Sequence, residues 1–490
     1  MPRSRVTFAT NDELEQRLFD AAEAKALGNV RDFAGRPVLV EGGGYEKIWL
    51  ETQPMGGEMY AKRNLEIGLN NQLFFIETQR ADGRLAGAIA CTDGTVDPQF
   101  NQFQGFCFAE PALNMYYLTG RDPDYLHALY RALSRFDAYL WAVRDSDGDG
   151  CLELWCQFDT GEDHAMRFAD APTQWRSDEP PTGYEAVPIA SMDVMGYSYA
   201  SRDMLARICA IAGQEEESAR WRIRAGQVLD RMREYLWVEE RGAYFDRDRH
   251  HHVMPVLLHN TLRTMYWGAI TPAMAARFVG EHLTNPQEFW PAMPLPSVAV
   301  NDPLFRNVPT NNWSGAAEAL TYQRAIRALE RYGFQRLIPR LGRKLMEAIG
   351  PSARFVQQFD PFTGRPYPSA FPGQEQDAYG PCLLAVLEYL SRMHGVHLQF
   401  DRVLWGSCGT HATEYEQEWA GRTFRLVSDG RTATGTIDGV HAFTVPTGRR
   451  VTTDLSGTIL AVDALDAADP SATLTDATLT DTTFTDAAVR

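Results

Sequence analysis

The chain has 490 residues, 44% hydrophobic and 11% aromatic, with 47 Lys plus Arg against 64 Asp plus Glu and a formal net charge of −17. That is enough apolar material for one large domain with an appendage, or for two or three average domains. The acidic balance, without a basic aromatic patch, argues against a nucleic-acid partner and against an anionic membrane surface.

Near the N-terminus, Met1 to Phe8 contains no long apolar segment, and no run of 18 apolar residues occurs anywhere. Neither a secretory signal nor a transmembrane helix is expected. Seven scattered cysteines, an odd number without zinc-ribbon spacing, read as reduced thiols in a cytoplasmic protein. A small internal substrate suits these features better than a large external one. The pattern leaves the oligomeric state open.

From Asn11 to about His394 the periodicity is mostly helical. Leu126, Leu129, Leu133, Phe136 and Leu140 share one face of a helix over 123–144, with Asp122 as N-cap and Pro123 at its first position. Met204 to Ile211 marks a second helix, stopped by Gly213, and Trp221 to Leu236 a third. Segments 316–332 and 337–349 form a further pair, and 382–393 closes the region. Paired helices with loops rich in Trp, Asp, Gly and Pro suit a mainly α protein, an α/α toroid with a pocket built from loops at one end. No fixed short repeat points to a solenoid.

After Gly395 the residues alternate apolar and polar at 396–400, 422–427, 432–437 and 441–445, with Ser428-Asp429-Gly430 and Asp438-Gly439 as turns. The expected organisation is a helical catalytic domain over 1–395, a small antiparallel β domain over 396–464, and a disordered Thr/Ala/Asp tail over 465–490.

Three segments carry candidate chemistry. Asp145-Ser146-Asp147-Gly148-Asp149-Gly150 opens like a calcium loop, with Asp145, Asp147 and Asp149 as possible ligands and Glu153 as a shortened closing acid. A polar turn ending a helix is the competing explanation, and no cofactor is required. His250-His251-His252 reads as an exposed turn, because adjacent histidines do not share a face. Neither a phosphate loop nor a serine-hydrolase elbow is present.

The third segment is Asp159-Thr160-Gly161-Glu162-Asp163-His164-Ala165-Met166-Arg167, close after Trp155. Crowded carboxylates tend to raise one pKa, and a raised acid beside an indole suits protonation of a glycosidic oxygen. This segment resembles the E-S-G-x-D-x-S-x-R block of the inverting glycosidase clan that contains glycoside hydrolase families 63 and 37. Tyr45…Trp49-Leu50-Glu51, Ser191-Met192-Asp193, Asn311-Asn312-Trp313-Ser314-Gly315, Asp360-Pro361-Phe362-Thr363-Gly364 and Gln376-Asp377-Ala378-Tyr379-Gly380 resemble other clan motifs in order, over about 42–390.

The resemblance implies an (α/α)6 barrel and an inverting α-glycosidase acting on a small α-linked disaccharide or glycosyl-glycerate. It implies Asp163 as general acid. Trp49, Trp155 and Trp313 are expected as platforms for sugar rings, and Glu51, Arg167, Asn312, Gln357 and Asp377 as further substrate contacts. One departure stands out. The clan places its base where this chain has Gln357, and an amide cannot take a proton from water. A shifted register, a base moved to Glu375 or Asp377 with Glu375 preferred, and a sugar-binding relative without hydrolysis all remain open. An epimerase or lyase on the same scaffold would call for an active-site His pair.

Overall fold

The computed structural model describes residues 4–368 and 376–466. Twelve α-helices occur among them. They are α1 (Glu13–Gly28), α2 (Gln53–Tyr60), α3 (Leu65–Glu77), α4 (Ala109–Leu118), α5 (Pro123–Val143), α6 (Met192–Ile211), α7 (Glu215–Tyr235), α8 (Asn260–Trp267), α9 (Pro272–Phe278), α10 (Ala319–Arg331), α11 (Leu337–Ile349) and α12 (Gly380–His394).

Several helices start at side-chain caps, α5 at the expected Asp122. Asp122 accepts from the Asp124 N–H ahead of α5, Asn64 from Glu66 and Ile67 ahead of α3, and Ser191 from Asp193 ahead of α6. Along α5, Leu126, Leu129, Leu133, Phe136 and Leu140 are all buried, as their spacing predicts. In α12 every residue from Gly380 to His394 is buried, so that helix has no polar face to reveal its period.

The helix contacts follow a closed order. α2 packs on α4, α4 on α6, α6 on α8, α8 on α10, α10 on α12, and α12 returns to α2. α1 and α11 pack behind α12, α3 behind α2, α5 and α7 behind α6. Small residues permit the tightest approaches. A Cβ on Gly196 of α6 would lie 2.3 Å from the Trp267 ring, and one on Gly57 of α2 would lie 2.5 Å from Asn71.

The C-terminal region holds two antiparallel sheets. One orders Val396–Gln399, Arg402–Ser407, Arg449–Asp454 and Ile459–Ala464. The other orders Thr413–Trp419, Arg422–Ser428, Thr432–Ile437 and Val440–Pro446, and its first position belongs to Ser4–Thr10 from the opposite end of the chain. This strand departs from a boundary at 395. Phe8 packs on Phe19 of α1 and on Tyr415 of the neighbouring strand, so the chain starts in the β region before it enters the helices. Glu15 of α1 strengthens the junction by contacting His394 at the end of α12 and His411 of the β region at 3.2 and 3.0 Å.

Leu465 is buried and Asp466 pairs with Arg343, so these two residues are packed rather than part of a loose tail. The remainder of the expected tail lies outside the described residues. Among the described residues, no helix is long and apolar enough to cross a membrane.

Candidate active site

A cavity of about 730 Å³ opens among loops that enter and leave the helices. Trp49 reaches it from the short strand Ile48–Trp49, which pairs with Ala88–Thr92; Thr95–Gln99 extends that sheet and forms part of the rim. Glu51 follows two residues later, just before α2. Gln102 and Gln104 come from the segment before α4, Asp163 from the acidic loop, and Gln357 from the residue preceding the strand Gln358–Phe359.

The acidic loop separates its carboxylates into different roles. Asp159 is fully buried and serves the fold: it accepts from Arg144 Nη1 at 2.7 Å and from the backbone N–H groups of Trp155 and Phe103 at 2.9 Å each. Glu162 is also buried, and Arg167, His259 and Arg263 hold it well below the usual carboxylate range against the opposing effect of burial. Asp163 alone of the three faces the cavity. Its Oδ2 accepts from Asn311 Nδ2 at 2.8 Å, and its backbone carbonyl accepts from the Trp313 N–H at 3.0 Å.

Burial pushes the Asp163 carboxyl up to about 6, against the lowering effect of hydrogen bonds from Asn311 and Gln104. The sequence led to the expectation that this rise comes from Asp159 or Glu162 and from closure of the pocket; the second cause is the one that operates. Both of those charges are neutralised by arginines, and loss of water is what raises Asp163.

Glu51 lines the same cavity, 3.1 Å from Arg324 and 3.6 Å from Arg263, and burial still raises it to about 7. Gly161 makes room for it. This residue has φ +75, and a Cβ there would fall 1.9 Å from Glu51 Oε2. Gly161→Ala is therefore expected to displace both Glu51 and the loop. A misplacement of ~1 Å in such a site costs about 10²-fold. That fall should appear in kcat/KM with far-UV circular dichroism unchanged, and an unchanged kcat/KM would show that this close approach does not position Asp163.

A chain of polar side chains crosses the cavity wall. Asn311 bonds Asp163, and the Tyr45 hydroxyl donates to Gln357 Oε1 at 3.1 Å. Gln358 Nε2 donates to Glu318 Oε1 at 2.7 Å, and burial raises Glu318 well above the usual range. Glu41 joins the same cavity from the loop before Trp49, with Tyr379 donating to its Oε1 at 3.0 Å. Burial first, and then the charges of Glu51 and Asp163, push Glu41 well above the ordinary range.

Of the expected site residues, Trp49, Glu51, Asp163 and Gln357 line this cavity together. Five others are placed elsewhere. Trp155 is fully enclosed, with Arg144 stacked over its ring and its indole N–H on Glu153 at 2.7 Å, so it belongs to the core. Trp313 is 1% exposed and packs edge-on to His259. Arg167 is clamped between Glu162 and Asp246 and holds the loop. Asn312 donates to the His164 carbonyl at 3.3 Å and caps Ser314. Asp377 pairs with Lys25 at 2.6 Å and accepts from the Phe355 N–H, outside the cavity lining. Glu375 lies outside the described residues.

In the loop over 145–153, Asp145, Asp147 and Asp149 accept from the backbone N–H groups of Gly150, Asp149 and Cys151, as carboxylates in turns do. Glu153 turns to Ser146 and Trp155 instead of closing a ligand set. Asp147 and Asp149 approach His251, and these three could offer atoms to an ion away from the cavity.

Sequence reasoning passed over Glu41, Gln104 and Glu318. A signal for the first was present in Gly42-Gly43-Gly44, all three with positive φ. A Cβ on Gly42 would sit 2.1 Å from Asn29 and 2.5 Å from the Ala378 carbonyl, so glycine lets this loop press against the segment carrying Tyr379.

The ring-ordered helices carry a polar cavity lined, among the described residues, by four carboxylates, and the family match below makes the protein a glycoside hydrolase. The profile of the mannosylglycerate hydrolase MGH1-like glycoside hydrolase domain matches residues 49–379, and the chain belongs to that family. Solved structures share the fold. The mannosylglycerate hydrolase of glycoside hydrolase family 63 from Thermus thermophilus, in complex with glucose, aligns with a TM-score of 0.61 at 16% identity, over 76% of this chain and 100% of that one. The neutral trehalase of Saccharomyces cerevisiae aligns with a TM-score of 0.55 at 16% identity, over 73% of this chain and 74% of that one. A protein described as a sialidase aligns with a TM-score of 0.69 at 13% identity, over 91% of this chain and 41% of that one. No functionally curated protein matches the chain.

Proposed function

We propose that the protein is an inverting α-glycosidase whose helices form an (α/α)6 toroid, and that it cleaves a small α-linked disaccharide or glycosyl-glycerate in the cytoplasm. The observation that carries this reading is Asp163. It is a cavity-facing carboxyl group that loss of water pushes up to about 6, in the same cavity as further carboxylates. The closed contact order of the inner helices supports the toroid.

Inversion requires an acid on one side of the glycosidic bond and a carboxylate base on the other, roughly 6.5–9.5 Å away, with water between base and sugar. Asp163 protonates the leaving oxygen. The half-buried Trp49 ring offers an apolar face to the sugar, and Gln102, Gln104 and Gln357 offer amides to its hydroxyls. Lys47 and the exposed Arg176 lie on the same lining and suit an aglycone with a carboxylate, such as glycerate. Seven unpaired cysteines, six of them buried, agree with a reducing compartment.

A panel of α-linked disaccharides and glycosyl-glycerates, followed by proton NMR, tests the reading. The first sugar released should be the β-anomer, and release of the α-anomer would rule out inversion. Binding without release from any member of the panel would instead favour the sugar-binding relative that Gln357 suggests.

A further inference from the structure

Resting on the inverting reading, the site still needs a group that takes a proton from water, and Gln357 cannot. Among the described residues, four carboxylates line the cavity: Glu41, Glu51, Asp97 and Asp163. Asp163 faces the leaving oxygen as acid. Glu51 points its Oε2 at Arg324 and Arg263, 3.1 and 3.6 Å away, and is tied into that pair rather than toward a water. Asp97 is exposed on the rim and accepts from Gln99. Glu41 remains.

Its geometry is that of a positioned group, and it acts as base only in its ionised form, since burial and the charges of Glu51 and Asp163 favour its proton. The backbone of Glu41 is fixed at both ends, its N–H on the Lys47 carbonyl at 3.1 Å and its carbonyl on the Gly380 N–H at 2.6 Å. Tyr379 anchors Oε1, and among the described residues no hydrogen bond engages Oε2. The neighbouring Tyr45 hydroxyl holds the carbonyl end of the Gln357 amide, which directs the amide's N–H₂ group toward Asn311 and away from Tyr45.

We propose that Glu41 is the general base of this enzyme, and that Gln357 orients the attacking water in place of the carboxylate its position would otherwise hold. The water oxygen bonds to the anomeric carbon as the bond to the leaving oxygen breaks. One water proton passes to Glu41 Oε2, and the electron pair of the broken bond goes to the leaving oxygen, which takes the proton of Asp163. Release of the Glu41 proton to solvent and reprotonation of Asp163 restore the starting state.

The test uses the full chain and the α-glycosyl fluorides of glucose and mannose, whose leaving group needs no acid, together with the best glycoside of the panel. Glu41→Gln keeps a carbonyl for Tyr379 and should lower kcat on both substrate types by about 10²–10⁴-fold, with KM changed by less than about threefold. Azide should restore turnover of the fluoride at least about tenfold and yield the β-glycosyl azide. Tyr379→Phe keeps the carboxylate but removes its donor, and should shift the acidic limb of kcat/KM to higher pH. Wild-type-like turnover by Glu41→Gln, or the same loss and azide rescue in Glu375→Gln instead, would overturn the assignment while leaving the inverting reading intact. A wild-type enzyme that releases the α-anomer, or hydrolyses neither fluoride nor glycoside, would overturn the inverting reading itself.

Discussion

Asp163→Asn is expected to reduce hydrolysis of a natural glycoside by about 10²–10⁴-fold, the range general acids contribute, while hydrolysis of an α-glycosyl fluoride falls far less. An amide of the same shape keeps the contact with Asn311 Nδ2 but has no proton to give at neutral pH. The wild-type kcat/KM should decline above about pH 6, where Asp163 in the free enzyme loses its proton. Equal losses on the fluoride and the glycoside would remove Asp163 from the acid role.

The same substitution should make the protein more stable at neutral pH. The Asp163 carboxyl sits at about 6 in the folded chain against 3.8 as its ordinary value. Its ionisation therefore favours the unfolded state. The stability is intact below about pH 4, is lost as pH rises through about 6, and amounts to about 2–3 kcal/mol at pH 7. Urea titration should show Asp163→Asn gaining that amount at pH 7 and nothing near pH 4. A variant with no gain at pH 7 would mean that the carboxylate is better hydrated than its burial indicates. Such a gain, accompanied by loss of activity, is the expected mark of a group held in an unfavourable place for chemistry.

Asp159→Ala should have the opposite signature. It leaves Arg144 buried without its partner, stacked between the rings of Phe103 and Trp155 at 4.2 and 4.1 Å, and frees two backbone N–H groups. Removing one member of a buried pair costs about 3–5 kcal/mol, and the acidic loop should lose its shape with it. Replacing both members, Asp159→Ala with Arg144→Met, should recover part of the loss because no buried charge remains. A loss below about 1 kcal/mol for the single change, or no recovery in the double, would show that water reaches Arg144. In the wild type, Arg144 holds the Asp159 carboxyl below its ordinary value despite burial, so the pair stabilises above about pH 4 and is lost as pH falls further.

The two aspartates of one nine-residue loop show how far a linear motif reaches. Their proximity marked the site, and the resemblance of Gly161, Asp163 and Arg167 to the clan's block singled out Asp163 as the acid. Proximity in sequence did not reveal that Asp159 and Glu162 would each meet arginines from distant segments, Arg144 at the end of α5 and Arg263 in α8. The tryptophans divide in the same way. Trp49, Trp155 and Trp313 are chemically equivalent in a sequence, yet only Trp49 sits on a strand at the rim, while the other two are enclosed. Likewise Asp377 stands next to a site segment but turns to Lys25.

The amino-acid sequence alone determined the helical character, several helix boundaries, the change to alternating strands after Gly395 and the loop that carries Asp163. Each of these is encoded locally, by apolar period, caps, turns or a short motif. Tertiary structure decided which ends of the chain meet, bringing Ser4–Thr10 against Thr413–Trp419, and which carboxylates keep their charge. It also brought Glu41, Asp163 and Gln357, each more than a hundred residues from the next, to one cavity. Charge states there depend on water removed and arginines approached, and neither quantity exists until the chain has closed on itself.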